Sequence, residues 1–154
     1  MPEVEENAPA KFRPTGRNGK EKHTSAKTPA LRKTDELTEW LLRKLCNEKY
    51  FPKRSRWLIS GKIADLVNDF SINVFRANEI KVVTQKERDA RHYYQTMAIA
   101  NLMALDVKMN QAQRILDISP DSLEHYAALV NDCRALLMAW MNADNKRYGA
   151  PTSL

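Results

Sequence analysis

At 154 residues with a net charge of +6, the chain has the length of one domain with a sizeable core, and its surplus charge favours an anionic partner. Its opening, MPEVEENAPAKFRP, lacks the apolar segment of a signal peptide, and no unbroken apolar run approaches about 18 residues, so a cytoplasmic protein outside the membrane is expected. Cys46 and Cys133 sit in apolar helical patterns with neither a CxxC nor a neighbouring His, which argues against a metal site and predicts two buried, reduced thiols.

Residues 1–34 hold eight Lys and Arg against four Glu, and residues 35–154 hold seventeen against fifteen, so this first stretch carries +4 and the remainder +2. It is rich in Pro, Gly, Lys, Thr and Asn, with Phe12 and Leu31 almost its only large apolar groups. Such a composition cannot bury enough surface to offset the entropy of ordering, and predicts a disordered basic tail over 1–34. Basic arms of this kind lie on nucleic acid or serve only as solubilising extensions.

From Thr34 the pattern is helical. A first helix begins at Thr34 or Asp35, gathers acids in its first turn, sets Leu37, Leu41 and Leu45 on one stripe and ends at Pro52. It is the shortest of four. Ser55 is placed to cap a second helix running to about Ile80, and Thr84 with Glu87 forms the capping box TQKE that opens a third, reaching about Asp117. Ser119 as cap and Pro120 at the first helical position open a fourth, which reaches about Ala143. Short connections between four helices predict an all-α fold, an up-and-down antiparallel four-helix bundle over 35–148, followed by a short C-terminal tail, 149–154.

Two of these helices carry more apolar surface than such a bundle uses. In the second, Ile59, Ile63, Leu66, Phe70, Val74 and Ala77 share one narrow face, which is the expected core face. Trp57, Gly61, Ala64, Ile72 and Phe75 lie opposite. In the third, Met97, Ala98, Asn101 and Leu105 take one side while Ile99, Met103 and Val107 take another. Loops or the short first helix would cover this surplus in a monomer. Self-association or docking to a protein is the preferred reading, since large apolar patches mark interfaces.

Catalytic patterns are poor. The sequence has no Gly-rich phosphate loop, no H-E-x-x-H, no repeated Glu-x-x-His and no trustworthy Ser-His-Asp arrangement. His92 stands beside Tyr93 and Tyr94, and His125 follows Glu124; adjacent helical residues point about 100° apart and do not chelate one ion. No catalytic residue, metal ligand or cofactor is expected. A helical enzyme with a site assembled across protomers would need convergent polar groups inside the bundle, and the stripes offer mainly Asn101, Tyr126 and Cys133.

Basic residues are concentrated instead. Arg43, Lys44, Lys49, Lys53, Arg54, Arg56 and Lys62 face the single acid Glu48 between residues 43 and 62, and Lys81, Lys86, Arg88 and Arg91 mark the junction of the second and third helices. Residues 99–145 hold only Lys108, Arg114 and Arg134 against six acids. A polarised patch of this kind suits a phosphate backbone, although helix-terminal cations are also common as a solvated bundle end. Tyr50, Phe51 and Trp57 stand near it as possible base-stacking groups, with core or interface packing the alternative for Phe51 and Trp57.

The run YFPKRSRWLISGKIADLVNDFSINVFRANEI, Tyr50 to Ile80, resembles the four-helix-bundle family that includes Avd, the accessory variability determinant of diversity-generating retroelements. It is also similar to the related bundle proteins encoded within intervening sequences of bacterial 23S ribosomal RNA genes. In both groups a Phe-Pro-Lys or Phe-Pro-Arg corner ends the first helix and is followed by a basic residue, an aromatic and a long second helix; Phe51, Pro52, Lys53, Arg56 and Trp57 take those places. The likeness covers about Asp35 to Ala143. The continuation IADLVNDFSINVFRANEI looks more like the retroelement group, because the Ser-, Arg- and Ala-rich segment of the ribosomal group is absent.

The resemblance implies a non-catalytic partner of a retroelement reverse transcriptase, assembled as a homopentamer and supporting mutagenic complementary-DNA synthesis from a template RNA. On that reading Lys53, Arg54, Arg56, Lys62, Arg88 and Arg91 contact RNA or cDNA, and Trp57, Gly61, Ala64, Ile72, Phe75 and Met103 contact other protomers or the enzyme. The alternative is a bundle of the ribosomal intervening-sequence type without a polymerase partner.

Overall fold

A computed structural model of the chain describes residues 28–152; the expected tail lies outside the described residues as far as Lys27, as do residues 153 and 154. Within that span the fold is all-α: α1 (Pro29–Leu45), α2 (Gly61–Glu79), α3 (Gln85–Ile115) and α4 (Pro120–Tyr148), with a 3₁₀ turn over Lys53–Ser55 and one π turn over Arg56–Ser60 leading into α2. There is no strand among the described residues. No helix among them is long and apolar enough to cross a membrane.

α1 is the shortest α-helix, as expected, but it starts earlier than Thr34. Thr28 accepts the Leu31 N–H at 3.3 Å and Pro29 stands in the first turn, the same cap-plus-proline device that Ser119 and Pro120 provide for α4. Thr34 is a mid-helix residue whose hydroxyl donates back to the Ala30 carbonyl at 2.8 Å, and it is buried with Ala30, Leu37 and Leu41. Residues 29–34 therefore belong to the bundle. Composition averaged over the first stretch hid a local start signal, T-P-A, that continues the stripe by two more turns.

The other ends follow their caps. The Glu87 carboxylate accepts the Thr84 N–H at 2.7 Å and closes the capping box; bonding to the Thr84 hydroxyl, then to its backbone, holds this exposed carboxyl below its usual range. α3 stops at Ile115, close to expectation. Ser119 Oγ accepts the Ser122 N–H at 3.3 Å, and α4 runs on to Tyr148, where Gly149 at φ 81 takes a conformation that side chains disfavour.

Each helix borders two others: α1 packs on α2 and α4, and α3 on α2 and α4. Contacts along the seams progress in opposite directions. Lys33 meets Asp132 while Trp40 meets His125. Arg91 reaches the Ile80 carbonyl while Lys62 and Lys108 line one groove, and Arg88 reaches Asn145 while Asp106 meets Tyr126. One continuous core results. Ile63, Val67, Phe70 and Val74 of α2 meet Leu102 and Leu105 of α3, Leu37 and Leu41 of α1, and Leu129, Cys133 and Leu137 of α4. Val67 takes a place in the fully buried layer, whereas Leu66 is only half-buried.

The cysteines separate. Cys133 is buried, with its thiol donating to the Lys33 carbonyl at 3.4 Å, and burial above all pushes it up to about 12. Cys46 is exposed, contrary to expectation, because it is the residue after the last turn of α1, where the stripe has already left the core. A thiol titration at neutral pH is expected to find one reactive cysteine per native chain and a second only after denaturation. Two fast-reacting thiols would show that the α1–α4 seam opens readily.

Candidate nucleic-acid interface

The corner at Phe51 and Pro52 builds the cationic end of the bundle. Phe51, 5% exposed, closes the core there among Trp40, Leu41, Met109 and Ile118. Pro52 cannot continue a helix, and its carbonyl accepts both the Ser55 N–H at 2.9 Å and the Ser55 hydroxyl at 2.8 Å. Ser55 thus supports the turn and makes no side-chain cap, a correction to its expected role. The chain then takes a π turn, closed by the Gly61 N–H on the Arg56 carbonyl. A Cβ at position 61 would stand 2.6 Å from that oxygen, so glycine is needed by the turn itself.

The consequence of the turn is a protrusion. Trp57 is 86% exposed and Leu58 is 76% exposed. Around them Lys53, Arg54, Arg56 and Lys62 are exposed as expected; Lys53 lies 3.4 Å from Glu48, and the other three have no acidic partner among the described residues. Tyr50 is half-buried and covered by cations, with Lys44 at 4.9 Å and Lys49 at 5.9 Å from its ring centroid. Between the end of α1 and the turn lies an open groove of about 410 Å³, lined by Leu42, Leu45, Cys46, Arg56, Ser60, Gly61 and Ala64 among others.

Arg88 and Arg91 are not part of this surface. They stand at the far end of α2, where the structure commits them to the interior. Arg88, 1% exposed, donates through Nε to the Gly149 carbonyl at 3.1 Å and through Nη2 to Asn145 at 2.5 Å. Arg91 pairs with Asp144 at 3.2 Å, donates to the Ile80 carbonyl at 2.7 Å and lies over the Trp140 and Tyr148 rings. Gln95 donates to the other Asp144 oxygen at 2.9 Å. These arginines hold the end of α4 onto α3 and are withdrawn as nucleic-acid contacts.

The apolar surplus stays uncovered among the described residues. Ile72, Phe75 and Met103 are exposed with Trp57, and Gly61 and Ala64 are half-buried on the groove. Leu58, Val83, Tyr93, Ile115 and Met138 are exposed as well, none of which the sequence singled out. Leu58 lies about 120° from the centre of the core face at 100° per residue, so it falls outside the buried stripe. A second concavity, of about 420 Å³, runs between α2 and α3 past Leu66, Ala104 and Val107.

Of the polar groups inside the bundle, Tyr126 and Cys133 are tied into structural bonds, whereas Asn101 Nδ2 is buried without a hydrogen-bond partner among the described residues. The Tyr126 hydroxyl donates to Asp106 at 2.7 Å and Arg134 donates to the other Asp106 oxygen at 3.0 Å; burial, then that bond, drives the phenol strongly upward. No group of three or more His, Cys, Asp and Glu among the described residues is placed to hold a metal ion. His125 is exposed against the Trp40 ring, and His92 is half-buried with its Nδ1 buried. No family model, no curated protein and no solved structure matches this chain.

Proposed function

We propose that this chain is a non-catalytic, oligomeric accessory subunit that binds template RNA or its complementary DNA and a retroelement reverse transcriptase. The observation that carries the reading is the cationic end. Lys53, Arg54, Arg56 and Lys62 crowd one bundle end around the Phe51-Pro52 corner, and three of them lack an acidic partner among the described residues. Unneutralised cations of this density gain affinity for phosphates through counterion release. The uncovered apolar faces support the oligomeric part, because Ile72, Phe75, Met103 and Val107 leave large side chains in water that contact with other protomers or the polymerase would bury. A pentameric ring is the form the family resemblance implies.

Light scattering of the purified protein, alone and with template-type RNA at low and moderate salt, is the test. The expected result is a particle several times the 17.7 kDa chain that takes up RNA in a salt-sensitive way. A reverse transcriptase captured by that particle extends the reading to the polymerase. A monomer indifferent to RNA at low salt would overturn it.

A further inference from the structure

Four aromatic rings stand at the cationic end, and their surroundings differ; Trp40 lies under Lys44 at 5.6 Å and against His125. Phe51 is inside the core, and Tyr50 has ammonium groups over its ring. Trp57 alone offers a free indole, with no ring or cation contact among the described residues. The π turn that projects it depends on Gly61, and it projects Trp57 between Arg56 on one side in sequence and Lys62 six positions after Arg56.

We propose that Trp57 is a stacking platform for an unpaired base, so that the bundle end selects single-stranded over double-stranded nucleic acid. This rests on the nucleic-acid reading above and adds a substrate class to it. A duplex shows the protein its phosphates and groove edges while its base faces are stacked on one another, so the indole gains little from it. A single strand presents a π-face with every nucleotide, and stacking on an aromatic tolerates any base. The neighbouring cations then hold the backbone. Lys53 and Arg56 stand at the two ends of the 3₁₀ turn, both exposed.

The charge argues for this occupant over others. A second copy docked face to face would bring the same cations against these, and with Glu48 the only acid between residues 43 and 62 the patch repels its own image. An anionic bilayer would meet the charge, but two protruding side chains bury too little apolar area for stable anchoring.

The test compares four probes by anisotropy and tryptophan emission: a short oligodeoxyadenylate, its duplex, a strand of equal phosphate count built from abasic units, and vesicles containing anionic lipid. Trp57→Ala and Trp57→Phe are measured beside the parent, with circular dichroism as the check on folding. The oligodeoxyadenylate is expected to bind at least about tenfold more tightly than the abasic strand or the duplex and to quench emission. Trp57→Ala should lose about tenfold on the base-bearing strand and little on the abasic one, and Trp57→Phe should keep most of the affinity. Equal binding of all three nucleic acids, unchanged by Trp57→Ala, would overturn stacking and leave a phosphate-binding patch. Absence of binding to every nucleic acid would remove the underlying reading together with the inference. Vesicle binding without oligonucleotide binding, or a change of particle size in Trp57→Ala, would assign Trp57 to a membrane or to a second copy and overturn the proposal.

Discussion

The Asp144→Ala variant is expected to unfold about 3–5 kcal/mol more easily than the parent, with a melting temperature lower by about 10 °C. Asp144 is buried and is the shared acceptor of the Arg91 guanidinium at 3.2 Å and the Gln95 amide at 2.9 Å. Removing it leaves a nearly buried cation with the Ile80 carbonyl as its remaining hydrogen-bond acceptor and strips Gln95 Nε2 of its acceptor, and an uncompensated buried charge costs far more than a surface pair. Asp144→Asn should fall between the two, because the amide oxygen still accepts while the charge is gone. Replacing all three partners, Arg91→Met with Gln95→Leu and Asp144→Leu, should recover most of the loss, since apolar groups of similar volume need neither charge nor bond. Urea titration decides. An Asp144→Ala protein that melts with the parent would show that α4 is held by the core alone. Because α2 separates the two ends by about 28 Å at 1.5 Å per residue, none of these variants should alter nucleic-acid affinity at the Trp57 end.

Reversing Lys53, Arg54 and Arg56 to glutamate is expected to weaken single-stranded nucleic-acid binding about a hundredfold at 0.1 M salt and to flatten the salt dependence by about two powers of salt concentration. Three phosphate contacts at about 0.7 counterions each give that slope change. The three side chains are exposed, so melting should stay close to the parent. Reversal of Lys86, Lys146 and Arg147, equally exposed but at the opposite end of the bundle, is the control for net charge alone and should leave affinity nearly unchanged. Equal losses from both ends would mean that binding follows total charge and that the corner has no special place.

Where helices begin was readable from short-range chemistry. Thr84 with Glu87, and Ser119 with Pro120, work over three or four residues, and both caps form as the sequence predicts. Thr28 with Pro29 is the same signal, masked by the basic, glycine-containing composition around it. The core stripe of α2 from Ile63 to Ala77 was equally legible, since a 3.6-residue period in apolar side chains depends on that helix alone. The period holds across the π turn as well, where Ile59 is buried and Trp57 exposed as expected, with Leu58 exposed beside it.

By itself, then, the sequence determined the helices, most of their caps, the apolar stripes and the crowding of cations between residues 43 and 62. Tertiary structure decided which cations are free. Arg54 and Arg88 look alike in a charge count, yet Arg88 finds its partners 57 and 61 residues later, in Asn145 and Gly149, and Arg91 finds Asp144 53 residues later. Only the docking of α4 against α3 brings those acceptors within hydrogen-bond reach, and with them two arginines of the second basic cluster become scaffolding while Lys81 and Lys86 stay exposed. Arg54, Arg56 and Lys62 gain no such partner among the described residues, so their charge stays at the surface.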